Sequence, residues 1–368
     1  MTEPHDATPD ELEGWDALAV DGPGGHVYQS RAWAEHRAGQ GWEPRYLAWD
    51  DGERALVLTR PWPLVGGAGA YVPRGPRPVP GKGGAVAGRL VDLAERLAGD
   101  GVDVLSADPE VPAADDGYRR TLTAAGFAPI EELQPSRHRL RRPLHGIDED
   151  GAMSGIAKST RQRIRQAERA GVRVVRHDAR TDGDAGDGFE CPVEPTDRAL
   201  DRFYDLLLET GERRGFGFGS RADFVGWWRA AVGAGHLVLL EAWPPGAADA
   251  PVAGLILYRH GDRLTTVHSG DRAEGRREQP GALHLLRWRA IQLAIRERRA
   301  ELDLGGVDVP GARREPHRGE PMWGLYEHKR SFGGEWLELA GAQERVARAG
   351  RYAAGRLALR LTRLARRR

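Results

Sequence analysis

Apolar positions along this chain recur at two spacings, and the spacing switches at regular intervals. In AVAGRLVDLAERLAGD (85–100) they return every three or four residues, the stripe of a helix with one buried face. The run after it, VDVLSADP (102–109), is short and β-rich. YLAWDDGERALVLTRPWP (46–63) alternates and breaks at Asp50-Asp51-Gly52, which predicts a β-hairpin. Short helices are expected over 30–38, with Ser30 as N-cap and Gly39 as stop, and over YRRTLTAAGF, closed by Gly126. YVPRGPRPVPG (71–81) is too dense in proline to donate to a ladder and reads as a loop.

The second half repeats this grammar. A helix at 158–170 leads into the strand VRVVRH, and a polar Gly/Pro stretch (181–197) shows no periodicity. RALDRFYDLLLETGERRG is a strong helical pattern. HLVLLEAW and VAGLILYRHGDRLTTVHSG are three β-rich runs with a hairpin at His260-Gly261-Asp262. ALHLLRWRAIQLAIRERR is a long helix before ELDLGG. Helix, strands, helix, strand in each half implies an α/β (α+β) protein of two similar units with mixed sheets. The expected divisions are a loose lead-in at 1–25, units at 26–145 and 146–316, a return segment at 317–340 packing on the first unit, and a basic amphipathic helix at 341–368.

Composition narrows the class. The 368 residues are 40% apolar and 29% charged, with 54 basic residues against 54 acidic ones, so no uniformly basic nucleic-acid binder is expected. Cys191 is the sole cysteine, which excludes an internal disulfide framework and a multi-cysteine metal site. No apolar run reaches the roughly 18 residues of a spanning helix. The acidic N-terminus is unlike a signal peptide, which points to a cytoplasmic protein. The lysines are only Lys82, Lys158 and Lys329, as coding bias toward arginine would leave them. Basic charge concentrates in two places, 154–176 and 341–368, and such clusters suit phosphate-rich partners or an anionic membrane. No P-loop, Gly-x-Ser-x-Gly elbow or zinc-binding histidine pair is present, and the histidines show no ligand spacing with carboxylates, so no metal is expected. The stretch RREQPGALHLL, where an acyl-CoA pyrophosphate would need a glycine-rich cradle, has Pro280 and a single Gly281.

Eight short pieces in order then resemble the Fem family of peptidoglycan bridge aminoacyltransferases. They are Ser30-Arg31-Ala32-Trp33 with Gly41-Trp42, YVPRGP (71–76), SADPEV (106–111), QPSRHRL (134–140), KSTRQRIRQAERAGVRV (158–174), RFYDLLLETGERRGF (202–216), LDLGGVD (302–308) and KRSFGGEW (329–336). The resemblance implies two acetyltransferase-like (GNAT-like) units. It also implies transfer of an amino acid from aminoacyl-tRNA to an amine of a cell-wall precursor, either UDP-MurNAc-peptide or its lipid-linked form, with the tRNA as co-substrate and no other cofactor. On that basis Lys329 stabilises the oxyanion or the leaving group, and Asp108 orients or deprotonates the amine, although a turn-capping role before Pro109 competes. Arg213 or Arg214 would hold the precursor diphosphate, with helix-end charge compensation as the alternative. His36 or Arg37 stands where the family places a lysine, and Val267 and His268 stand where it often places a tyrosine facing the precursor, departures that imply a different precursor headgroup or binding mode.

On the predicted helix at 158–170, Lys158, Arg161, Arg165 and Arg169 share a face suited to tRNA phosphates. Arginines alternate with leucines in 341–368, a pattern suited to peripheral attachment at the inner membrane surface or to a second tRNA contact. Competing functions are acyl-CoA-dependent N-acyl transfer, aminoacyl transfer to an amine outside the cell wall, and tRNA or membrane binding without catalysis.

Overall fold

The computed structural model describes residues 3–134, 137–180, 184–215, 217–246, 249–309 and 311–365, with backbone only for Arg214, Arg276 and 363–365. The chain forms two compact units, Met1–Arg137 with Glu338–Arg368, and His138–Leu337. The first begins β1 (His5–Asp6), α1 (Pro9–Glu13), α2 (Trp15–Ala19), a 3-10 turn at Val27–Gln29, α3 (Arg31–Ala38), β2 (Glu43–Ala48), β3 (Arg54–Pro61) and β4 (Ala68–Val72). It continues with α4 (Gly83–Gly99), β5 (Val102–Ala107), α5 (Asp116–Ala124) and β6 (Ala128–Pro129).

The second unit opens with β7 (His138–Pro143), α6 (Glu149–Ser154), α7 (Lys158–Arg169), β8 (Arg173–His177), α8 (Thr196–Arg214) and α9 (Arg221–Gly233). β9 (Leu237–Trp243), β10 (Ala253–His260), β11 (Arg263–Asp271), α10 (Ala273–Glu278), α11 (Ala282–Arg296), β12 (Glu301–Asp303), α12 (Trp323–Arg330) and β13 (Glu335–Glu338) complete it. The chain then returns to the first unit as β14 (Gln343–Val346) and α13 (Ala349–Ala365). Each unit holds a seven-stranded mixed sheet, ordered β1-β2-β3-β4-β5-β14-β6 and β13-β7-β12-β11-β10-β9-β8.

The predicted caps and stripes explain most of these elements. The Ser30 side chain accepts from Trp33 N at 3.0 Å and starts α3. Leu90, Leu93 and Leu97 of α4 are fully buried against the first sheet, and Leu285, Leu286, Ala290, Ile291 and Ala294 of α11 fill the core of the second. Burial of such a side chain stabilises by about 1.5–3 kcal/mol.

Four expectations need correction. Residues 5–19 are not a loose lead-in: Trp15 is fully buried, donates to Gln29 O at 2.8 Å and packs edge-on against Tyr46 at 4.8 Å. One aromatic anchors the segment without any periodic stripe. The first unit ends at 137 rather than 145, because β7 pairs with β12. The return segment belongs mainly to the second unit, since α12 and β13 are built into it and only residues from Glu338 on join the first. β4 and α9 were not anticipated. β4 takes in Tyr71 and Val72, the first two residues of the stretch expected to be a loop, and α9 buries Val225, Trp227, Trp228, Ala231 and Val232 without a narrow stripe.

Asp103 fixes the C-terminal return. Its carboxylate, fully buried, accepts from Trp62 Nε1 and from Arg351 Nε, each at 2.8 Å, while its carbonyl accepts from Ala347 N. Burial alone would raise the Asp103 pKa, but the Arg351 and Trp62 hydrogen bonds bring it below the usual carboxylate range. Among the described residues, no helix is long and apolar enough to cross a membrane.

Replacing Trp15 by Ala removes a fully buried indole, and urea unfolding is expected to show a loss of about 3–5 kcal/mol. A loss under 1 kcal/mol would restore the loose lead-in.

Candidate active site

The second sheet opens along one seam. β11 pairs in parallel with β12 only from Arg263–Thr265 against Glu301–Asp303, and beyond that point the two strands lose their pairing. β11 also carries a bulge at Val267, where its register against β10 slips between Ile256 and Leu257. After β12 the chain turns at Gly305, with φ +78, and the Asp303 carboxylate accepts from Gly305 N at 2.8 Å. A Cβ on Gly305 would stand 2.8 Å from Thr266 O and 3.1 Å from Lys329 Nζ. Only glycine lets the backbone come this close to both.

Lys329 reaches this place from α12, whose buried residues are Tyr326 and Lys329, three apart on one face. The side chain is only 7% exposed, and Nζ donates to Gly306 O at 3.1 Å. Burial lowers its pKa to about 7; the positive charge of Arg287 adds to that shift and Asp303 opposes it. Arg287, itself buried on α11, donates to Ser269 Oγ at 3.3 Å. The result is a buried amine at the point where β11 and β12 part, and Lys329 itself lines neither of the two cavities described below.

Two cavities lie in the same unit. One, of about 550 Å³, is lined by Ser269, Asp271, Gln279 and Arg287 among others, and the second, of about 620 Å³, by Ser159, Thr160 and Trp323. His284 and His328 line both, their rings 4.6 Å apart and edge-on. Burial, with Arg287 and Arg163 nearby, lowers the His284 pKa to about 4, so this ring is neutral at physiological pH. Sequence reasoning missed Arg287 and gave these two histidines no role beyond a surface or packing one. The available signal was Arg287 itself, a charge on the buried face of an otherwise apolar helix.

The other expected residues have mixed fates. Arg213 donates to the carbonyl and carboxylate of Asp271 at 2.6 and 2.7 Å and to Glu209 at 2.9 Å, so it ties the end of α8 to the end of β11. The Arg214 side chain lies outside the described residues. His268 is half-buried. Its ring sits among Phe218, Phe224 and Trp228, with centroids 5.5–6.2 Å away, and burial lowers its pKa to about 4. Because neighbouring strand residues point to opposite faces, His268 lies on the α9 side of the sheet while Ser269 meets Arg287 of α11 on the other.

On α7, Thr160, Ile164 and Ala167 are buried, and Lys158, Arg165 and Arg169 are exposed on the opposite side. Arg161 shares the basic face but bends back to the carbonyls of Ser154 and Ile156.

In the first unit, Asp108 is nearly fully buried and accepts from Tyr71 OH at 3.0 Å and from Arg74 N at 2.8 Å. Burial raises its pKa to about 6 against the opposing Arg74 charge. These bonds tie Asp108 to the 71–76 loop rather than to its own turn before Pro109. Arg37 lies over the rings of Trp33 and Trp42, at 5.4 and 5.2 Å, and His36 is 3.2 Å from Gln40 Nε2. No group of three or more His, Cys, Asp or Glu side chains arranged for a metal occurs among the described residues.

Lys329 carries a pH signature. An unfolded lysine keeps its proton to about pH 10.4, whereas the native side chain releases it near 7. Between those values the native state binds fewer protons, so native stability rises with pH across that window. Lys329→Met is therefore expected to stabilise the protein by a few kcal/mol at about pH 6. The gain should fade toward about pH 10, as followed by urea unfolding; a gain independent of pH would contradict the buried ammonium.

Residues 156–330 match the acetyltransferase (GNAT) domain family. No curated protein matches the sequence. Among solved structures, FemX superposes with a TM-score of 0.77 at 18% identity over 96% of this chain and 99% of that one. L-PGS from Bacillus licheniformis gives 0.53 at 12% identity over 100% and 99%. A conserved protein of unknown function from Bacteroides thetaiotaomicron gives 0.54 at 12% over 94% and 99%. The chain thus has the fold of FemX, and its residues 156–330 resemble the GNAT acetyltransferase domain.

Proposed function

We propose that this protein is an aminoacyltransferase that moves an amino acid from aminoacyl-tRNA to a primary amine of a peptidoglycan precursor. The acceptor is a UDP-MurNAc-peptide or its lipid-linked form. The observation that carries this reading is the Lys329 ammonium, buried beside the open seam of a GNAT domain that shares the fold of FemX. Ester aminolysis is downhill and needs no metal or redox group. The amine nitrogen forms a bond to the ester carbonyl, the carbonyl oxygen takes up negative charge, and the carbon–oxygen bond to the terminal ribose then breaks. The amine's proton leaves with the ribose oxygen. A fixed cation at that oxygen stabilises charge that exists only along the reaction path, which raises kcat rather than affinity.

The remaining residues enter in graded roles. Lys158, Arg165 and Arg169, with Arg161, form a phosphate-binding face for the tRNA. Asp108 acts through the loop it holds. Arg213 acts through Asp271, a residue of the 550 Å³ cavity wall, and His36 and Arg37 belong to the indole cluster of the first unit.

Acyl-CoA chemistry fits less well. A pyrophosphate needs free amides at the start of α11, yet Ala282 N already donates to Gln279 O. A Cβ at Gly281 would lie 2.3 Å from Arg163 O, so α7 crowds that helix start. Transfer to an amine outside the cell wall keeps the same donor and remains the second reading.

Incubation with a charged tRNA pool and UDP-MurNAc-peptide is expected to give products heavier by one aminoacyl residue, absent after RNase treatment. Acetyl-CoA turnover without such products would overturn the proposal. Lys329→Ala should lower kcat by about a hundred- to a thousandfold with little change in KM. A variant as active as the parent would remove catalysis from this site. Arg165→Gln with Arg169→Gln should weaken tRNA binding and reduce its salt slope by about one to two. An unchanged slope would place the tRNA elsewhere.

A further inference from the structure

α13 leaves one face uncovered. Arg351, Tyr352 and Gly355 turn inward: Arg351 to Asp103, Tyr352 OH to Glu344 at 3.0 Å, and Gly355 against Trp62, where a Cβ would stand 2.4 Å from the indole. The outward side presents Ala353, Leu357 and Leu361 at intervals of four, both leucines 58% exposed, flanked by exposed Arg356 and Arg360.

The turn between β3 and β4 lies against the same helix. Trp62 N donates to Gly67 O, the Trp62 and Tyr352 rings are 6.0 Å apart, and Gly67 sits beside the Arg351 guanidinium. At its tip Leu64 is 99% exposed, in the left-handed region at φ +68, followed by Val65 at 36%.

Isolated exposed leucines are ordinary on protein surfaces. Leu357 and Leu361 flanked by Arg356 and Arg360 on α13, with Leu64 and Val65 exposed on the adjoining turn, give apolar positions beside basic ones. The segment 341–368 holds nine arginines against Glu344 alone. Phosphates of RNA would engage the arginines but gain nothing from Leu64, Leu357 or Leu361. A bilayer with anionic headgroups uses both, arginine at the headgroups and leucine in the acyl boundary.

We propose that the outward face of α13 and the Leu64–Val65 tip form one docking surface for an anionic lipid membrane. This goes beyond the catalytic reading and stands without it, because membrane contact requires neither Lys329 nor tRNA.

The test is co-flotation of the full chain with vesicles of phosphatidylcholine alone or with about one third phosphatidylglycerol. Binding is expected to the anionic vesicles at low salt and to weaken with salt. Leu357→Ser with Leu361→Ser, and separately Leu64→Ser with Val65→Ser, should each lower the partition coefficient about tenfold or more. These side chains are exposed, so thermal midpoints, charged-tRNA binding and turnover on a water-soluble acceptor should stay unchanged. Arg356→Gln with Arg360→Gln should weaken binding and flatten its salt dependence. The proposal is overturned if the parent protein does not float with anionic vesicles, or if the serine variants float equally well. It is also overturned if those variants lose tRNA binding instead, which would make the face an RNA surface.

Discussion

Placing an ammonium group out of water costs free energy that only a purpose or a partner offsets, and Lys329 has one hydrogen bond to a carbonyl among the described residues. The second unit is arranged around that cost. Its sheet loses pairing after three residue pairs of β11 and β12, a bulge at Val267 turns the continuing strand, and Gly305 gives up a side chain where one would meet Thr266 O and Nζ. Arg287 then adds a second positive charge instead of relieving the first. A core selected for stability alone would place methionine or leucine there. A lysine here can release its proton near pH 7, where a guanidinium could not.

In the proposed reaction, ester aminolysis, that poise would have a use. A lysine with a pKa of about 7 is only partly charged in the free protein, and a developing oxyanion would draw the proton fully onto it. The neutral His284 and the cavities it lines sit in the same unit as this charge. His268, also neutral, is held by aromatic rings on the opposite face of the sheet, which removes it from that chemistry and makes it part of the packing of α9.

Local signals were legible wherever one residue type decided the outcome. Ser30 set the start of α3, the Asp51-Gly52 turn divided β2 from β3, and alternating Leu and Ile placed α11. Lys329 was legible by its rarity and by its place before Phe332-Gly333-Gly334. Long-range pairing was not legible. HRLRRP alternates like any edge strand, and nothing local states that its partner is Glu301–Asp303, more than 150 residues on. Trp15 illustrates the same limit, since a single indole in an acidic lead-in gives no period although it is wholly buried. For Arg213 and Asp108 the sequence left a ligand-facing and a structural reading open, and in the fold each has internal partners. A residue's type shows what it can bind; only the fold shows what it has already bound.

The two arginine-rich helices show how far that distinction reaches. In sequence α7 and the C-terminal segment carry the same signal, dense positive charge at helical spacing. In the structure α7 buries Thr160, Ile164 and Ala167 and leaves a polar, basic outer face with no leucine on it. α13 turns Arg351 inward to the fully buried Asp103 and leaves Leu357 and Leu361 outside. Had α13 been rotated by half a turn, its leucines would have entered the core and its arginines would have made a second phosphate face like that of α7. Asp103 prevents this, because it needs Arg351 and a fully buried carboxylate left without that partner is strongly unfavourable. The Asp103–Arg351 pair, with Tyr352 on Glu344 and Gly355 against Trp62, thereby orients the C-terminal helix and the chemistry of its outer face.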